Sequence, residues 1–276
     1  MRNFYLVVAF TIASLALATL FFLYPAVIRP IPYGTFTFTF ATLICFWVAS
    51  RLRRTEVDTT DEMTSSLVQT LQTYFWVMGT FFFFDGIAHV GIPALYPDPV
   101  IASYAHTFSH IFFFVGNAFI IRIPISFINR RWMNAASMSQ IAIGIVAVGW
   151  RLIHPDSLVT IAPQLPPIII TDKVSGLLFL AANTLALLLP GLFVLYRGFL
   201  RMENKDAKIR AICLALGMMI FFSIGPVIDL IQNQYTQLLI HLLQASSFGL
   251  LAASALYKTD RKEMSYMPPQ AASQTA

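Results

Sequence analysis

FYLVVAFTIASLALATLFFLY, residues 4 to 24, contains no charged residue and shows no alternation of apolar with polar positions. A run of this length matches the roughly 20 helical residues that cross a hydrocarbon core of about 30 Å. A membrane β-strand would have to alternate, so a barrel is excluded and the run reads as a transmembrane helix. Seven more apolar runs follow at about residues 36–50, 68–92, 100–121, 135–153, 174–196, 209–231 and 236–257. The expected fold is therefore all-α, a polytopic membrane bundle of eight transmembrane helices. Composition agrees, because 57% of residues are hydrophobic and 11% are charged, where a soluble domain carries about 25% charged residues. The first run exceeds the 7 to 15 apolar residues of a cleaved secretion signal, so it is expected to stay as a span.

Lys and Arg set the orientation. Arg2, then Arg51, Arg53 and Arg54, then Arg122, Arg130 and Arg131, then Arg197, Arg201, Lys205, Lys208 and Arg210, then Lys258, Arg261 and Lys262 fall on one side of the spans. Only Arg29, Arg151 and Lys173 fall on the other. Cytoplasmic loops retain basic residues, so the first side is inside and both termini are cytoplasmic. The expected location is the cell inner (plasma) membrane. Spread through short loops in this way, the formal net charge of +5 is a topology signal and not a phosphate-binding surface, which excludes nucleic acid as a partner. Cys45 and Cys213 sit singly inside apolar runs and read as core residues.

The outer connections alternate between long and short, which predicts two four-helix halves. A faint repeat accompanies them, Asp85 with His106 and Asp229 with His241. The tail, residues 263–276, is polar and Pro-containing and is expected to be disordered and cytoplasmic.

All five histidines, with Asp85 and Asp229, fall near the outer ends of their spans. Ionisable groups in a bilayer are costly and mark functional sites by default. The densest group is DGIAH at 85–89 followed by HTFSH at 106–110. Residues four apart share a helix face, so Asp85 with His89 and His106 with His110 form two stripes on antiparallel neighbours. At 1.5 Å per residue these four lie roughly 5 to 15 Å below the outer helix ends. If the stripes face each other, Asp85, His89, His106 and His110 are within reach of one ion, and His241 can add a ligand from across the bundle. Imidazole with carboxylate suits copper, zinc or iron, and one imidazole from each of two helices suits haem b. Each histidine taken singly also fits a plain hydrogen bond between helices, worth about 1 to 2 kcal/mol. His154, beside Pro155, reads as interfacial. The Phe runs at 81–84 and 112–114 fit either a cofactor wall or ordinary lipid contact, and Asn117 and Asn183 are expected to tie helices together.

The order Asp85, His89, then SHIFFFVGN from Ser109 resembles the copper site in the membrane subunit of particulate methane monooxygenases, over some 25 residues and with a longer loop. The HxxxH of His106 and His110 with an intramembrane Asp is similar to the zinc hydrolases related to alkaline ceramidases and progestin/adipoQ receptors. In that superfamily the motif lies in the last helix and opens to the cytoplasm, unlike here.

No Lys lies in the middle of a span, which excludes a retinal Schiff base. There is no GxxxxGK[ST] and no CxxCH. Three functions remain. The first is a metal- or haem-binding protein in redox or electron transfer, with a quinone or other membrane-soluble molecule as partner. The second is a zinc-dependent hydrolase of a lipid-like substrate, with Asp85 as base. The third is a non-catalytic sensor, channel or subunit of a larger membrane complex.

Overall fold

The Asp98-Pro99 pair shows how the sequence places the helix that matters most. Asp98 is extended (φ −101°, ψ 112°) and its carboxylate accepts from the backbone N–H groups of Val100 and Ile101, while Pro99 occupies the first turn, where no N–H is needed. The computed structural model describes residues 33–56, 62–92, 98–159, 168–201, 205–230, 243 and 247–255. Within them run α1 (Tyr33–Glu56), α2 (Glu62–Gly86), α3 (Pro99–Ile120), α4 (Arg122–Ile128), α5 (Met133–Ile153), α6 (Lys173–Asn183), α7 (Leu189–Arg201) and α8 (Lys205–Leu230). Residues 247–255 are also helical. A π-turn, Ile87–Gly91, extends α2, and a second, Thr184–Leu188, joins α6 to α7 into one continuous rod. The described residues are helical apart from connecting segments and one small antiparallel hairpin, β1 (Ser157–Val159) with β2 (Ile168–Ile170), paired Ser157 to Ile170. It lies in the long connection between α5 and α6.

The expected spans from 36 to 231 coincide with helices, most of which begin or end a few residues beyond the apolar runs. Among the described residues, three helices are long and apolar enough to cross a membrane: Pro99–Ser126, Arg130–Ile153 and Lys173–Tyr196. The expected first span at 4–24, the tail at 263–276 and most of 236–257 lie outside the described residues. The count of eight therefore rests on the sequence.

The α5 helix has its polarity turned inward. Gln140 and Arg151 are fully buried, while Ile145 is 68% and Ile153 74% exposed. A water-soluble helix turns its apolar stripe to the core and its polar face outward. Here Gln140, Gly144, Ala147 and Arg151 form the buried stripe. The stripe packs on α3 at short range, since a Cβ on Gly144 would meet Phe114 Cβ at 2.7 Å. Gly86 is similarly close to Phe38 of α1, where an added Cβ would meet the Phe38 Cβ at 2.9 Å. These two glycines let α5 and α1 approach the helices that carry the histidines.

Aromatic rings run through the core among smaller aliphatic side chains. Phe81, Phe113, Phe114 and Phe179 interlock from α2, α3 and α6, and Phe248 meets Tyr74, Phe82 and Phe221. Both cysteines are free, Cys45 buried and Cys213 half-buried, as the sequence implied.

Candidate metal centre

The end of α2 and the first half of α3 bring three donors to one point. Asp85 Oδ1 lies 3.8 Å from His89 Nε2 and 3.6 Å from His106 Nε2. One ligand atom from each of the three residues lies within 4.8 Å of the other two, and all three residues are buried. Donors about 2.1 Å from a tetrahedral ion are about 3.4 Å apart, so the two separations to Asp85 come within a few tenths of an ångström of that spacing. His89 lies inside the π-turn. Such a turn holds more residues than an α-turn, so residues four apart stand more nearly above one another than the stagger of about 40° in an α-helix allows. Phe38 stacks on the outer face of His89, with ring centroids 5.3 Å apart.

His106 is held from behind. Its Nδ1 lies 2.9 Å from Asp156 Oδ2. A carboxylate only accepts, so Nδ1 carries a proton, and in the neutral ring this leaves Nε2, the nitrogen facing Asp85, as the acceptor. A carboxylate behind a ligating imidazole is the arrangement that fixes ring orientation and raises basicity in metal sites. Asp156 is itself fixed, because the Arg151 guanidinium donates to the same Oδ2 at 2.9 Å and the Asp156 backbone N–H donates to Ser103 Oγ at 2.8 Å. Arg151 also donates to Thr171 Oγ1 at 2.7 Å and lies over the Phe179 ring, 4.8 Å from its centroid. Its neighbour Trp150 donates to Asp172 Oδ2 at 2.8 Å, and Asp172 caps α6 through Val174 N–H. The Trp150 hydrogen bond is the main reason that the Asp172 carboxyl sits below its ordinary range. Burial pushes the Asp156 carboxyl up to about 6, against the downward pull of Arg151. The ion pair thus repays only part of the desolvation of Asp156, as buried pairs commonly do.

Of the sequence-predicted ligands, Asp85, His89 and His106 converge and His110 stands apart. His110 Nδ1 donates to the His106 carbonyl, 2.8 Å away, one turn back on its own helix. Its ring is wedged between His106, 4.4 Å away, and Phe179, 4.6 Å away, and also meets Phe81. Ser109 Oγ, 3.0 Å from Asp85 Oδ1 and 2.7 Å from the His106 carbonyl oxygen, shares its hydrogen between them. The ring centroids of His89 and His106 lie 5.0 Å apart, edge to face. A haem clamped by these two residues would need a slot the thickness of a porphyrin between them, and none is present, so the donor set suits a bare ion. His154 is exposed and stacked on Trp150, in keeping with an interfacial role. His241 lies outside the described residues, as does the Asp229 side chain, so the proposed repeat and the fifth ligand are outside the described site. Asn117 Nδ2 lies 3.5 Å from Asn183 Oδ1, joining α3 to α6 as expected.

Sequence reasoning missed Arg151, Asp156, Ser103 and Thr171. One signal was available. Arg151 is a charge at the outer end of an apolar run, such a charge needs a partner, and Asp156 is the first acid after it.

Comparison with protein-family models, known proteins and solved structures finds no match for this chain.

Proposed function

We propose that this chain is a polytopic inner-membrane protein that holds one transition-metal ion through Asp85, His89 and His106 near the non-cytoplasmic end of its bundle. The ion serves redox or electron-transfer chemistry with a membrane-soluble partner such as a quinone, alone or within a larger membrane complex. The observation that carries this reading is the meeting of three buried donors from two helices, with one imidazole oriented by a carboxylate from a third element. Two imidazoles and one carboxylate leave coordination positions open and form the donor set of non-haem iron centres. The inward-turned polarity of α5 and the three long apolar helices support the membrane setting. Arg130 and Arg131 open the helical run that ends beside the cluster, so they stand at its far end, where the basic-residue rule puts the cytoplasm.

The test is elemental analysis and electron paramagnetic resonance on the full chain purified from membranes. One iron or copper per chain is expected, absent from the His106→Ala and Asp85→Asn variants. Metal-free protein, or unchanged metal in both variants, refutes the site. Reporter fusions placing the Arg130 loop outside would refute the orientation. A second reading has one observation in its favour: three protein donors plus an open position is also the catalytic zinc pattern, in which the ion lowers the pKa of its bound water to about 7. Stoichiometric zinc in place of iron or copper would select that reading, a hydrolase of a lipid-like substrate.

A further inference from the structure

Far from the histidines, α4, the short turn Arg130–Trp132 and the start of α5 border an open surface groove of about 450 Å³ lined by Ile125, Trp132, Ala135, Ala136 and Ser139. The small side chains on α5 leave the space, while Ile125 and Trp132 supply its apolar walls. Trp132 is 63% exposed, the placement of an aromatic ring at a membrane interface. Arginines are close neighbours of the groove's lining residues along the chain. Exposed Arg130 and Arg131 immediately precede Trp132, and Arg122 is one turn before Ile125 on α4. The Arg122 Nε–H is buried and has no hydrogen-bond partner. A buried donor of this kind requires an acceptor. An apolar slot with cationic neighbours matches an amphiphile carrying an anionic head and an apolar tail.

We infer that this groove binds an anionic phospholipid of the cytoplasmic leaflet, with its phosphate among Arg122, Arg130 and Arg131 and an acyl segment between Ile125 and Ala136. The inference rests on the membrane reading given above, since the basic end must face that leaflet. It is independent of the metal, because the groove lies at the opposite end of α5 from Arg151. Basic pockets between membrane helices on the cytoplasmic side recognise such headgroups, and each Arg near the surface is worth about 1 kcal/mol, or about fivefold in affinity.

The test is native mass spectrometry of the full chain titrated with phosphatidylglycerol or phosphatidylcholine. Phosphatidylglycerol is expected to be retained preferentially. The Arg130→Gln/Arg131→Gln variant should weaken that retention by about twenty-five-fold, and Ala136→Trp, which fills the groove, should abolish the preference. Equal retention of both lipids, or undiminished phosphatidylglycerol binding by the double variant, overturns the inference. Metal content and melting temperature of each variant show that it has folded. Extraction by alkaline carbonate would refute the membrane reading itself, whereas a chain that stays in the membrane and ignores lipid charge refutes only the lipid site.

Discussion

Replacing Asp156 separates two contributions that the structure places on one oxygen. Asp156 Oδ2 accepts from His106 Nδ1 and from Arg151 Nη2, each at 2.9 Å, and the Arg151 and Asp156 side chains are fully buried. Asp156→Ala leaves the Arg151 guanidinium without its counter-charge, and breaking a buried pair from one side costs about 3 to 5 kcal/mol. It also releases the His106 ring, and loss of a partner behind a ligating histidine typically costs 10- to 100-fold in metal affinity, about 1.4 to 2.7 kcal/mol. The double variant Arg151→Met/Asp156→Leu parts the two effects. Replacing both charges with apolar groups is expected to bring the melting temperature back near that of the parent, because the pair repays little of its desolvation. Metal affinity should stay 10- to 100-fold low, because nothing orients His106. The assays are thermal unfolding of the metal-free protein in detergent and competition with a chromophoric chelator. A double variant that binds metal as tightly as the parent would refute the claim that Asp156 positions His106.

His110→Ala should keep the full metal stoichiometry that His106→Ala loses, since His110 Nδ1 is committed to the His106 carbonyl; equal loss in both would put His110 among the ligands. Gly144→Ala should destabilise by about 1 to 3 kcal/mol, because the new methyl lands 2.7 Å from Phe114 Cβ. Gly149→Ala, with nothing within 4 Å, should be neutral or stabilising by up to about 1 kcal/mol, and chemical denaturation of the two would expose an error in the packing. With the Asp156 carboxyl raised to about 6, the folded chain holds more protons than the unfolded chain between about pH 4 and 6. This group's contribution to the stability of metal-free protein therefore falls as pH rises through that window and is level above it. The difference in melting temperature between the parent and Asp156→Asn should change across that window, and a constant difference would show that Asp156 does not titrate there.

The long elements were legible because each is a continuous apolar run, and α3 and α5 begin and end within two residues of their expected limits. Asp85, His89 and His106 were legible for a related reason, since an ionisable group among apolar neighbours stands out and helical spacing fixes its face. Spacing could not separate His110 from them. Its hydrogen bond to the carbonyl one turn back is open to any helical histidine, and only the rotamer decides it. The π-turn around His89 has no signature in apolar periodicity over five residues. Asp156 stood out only as the first acid after Arg151; its pairing with His106, 50 positions away, was out of reach, because neither spacing nor periodicity relates two residues separated by the whole of α4 and α5.

Biosynthesis gives the Arg151–Asp156 pair a further meaning. The chain emerges N-terminus first, so Asp85, His89 and His106 are made before the ion pair that braces them. An unpaired arginine resists entry into the bilayer, but this one is followed by its neutralising carboxylate only five residues later. On the membrane reading proposed above, the segment can enter as a nearly uncharged unit and bring the brace to His106. The proposed metal centre is thus complete only when the fifth expected span and the first residues beyond it have left the ribosome. A chain stopped before residue 156 would hold all three donors and still lack the group that orients one of them.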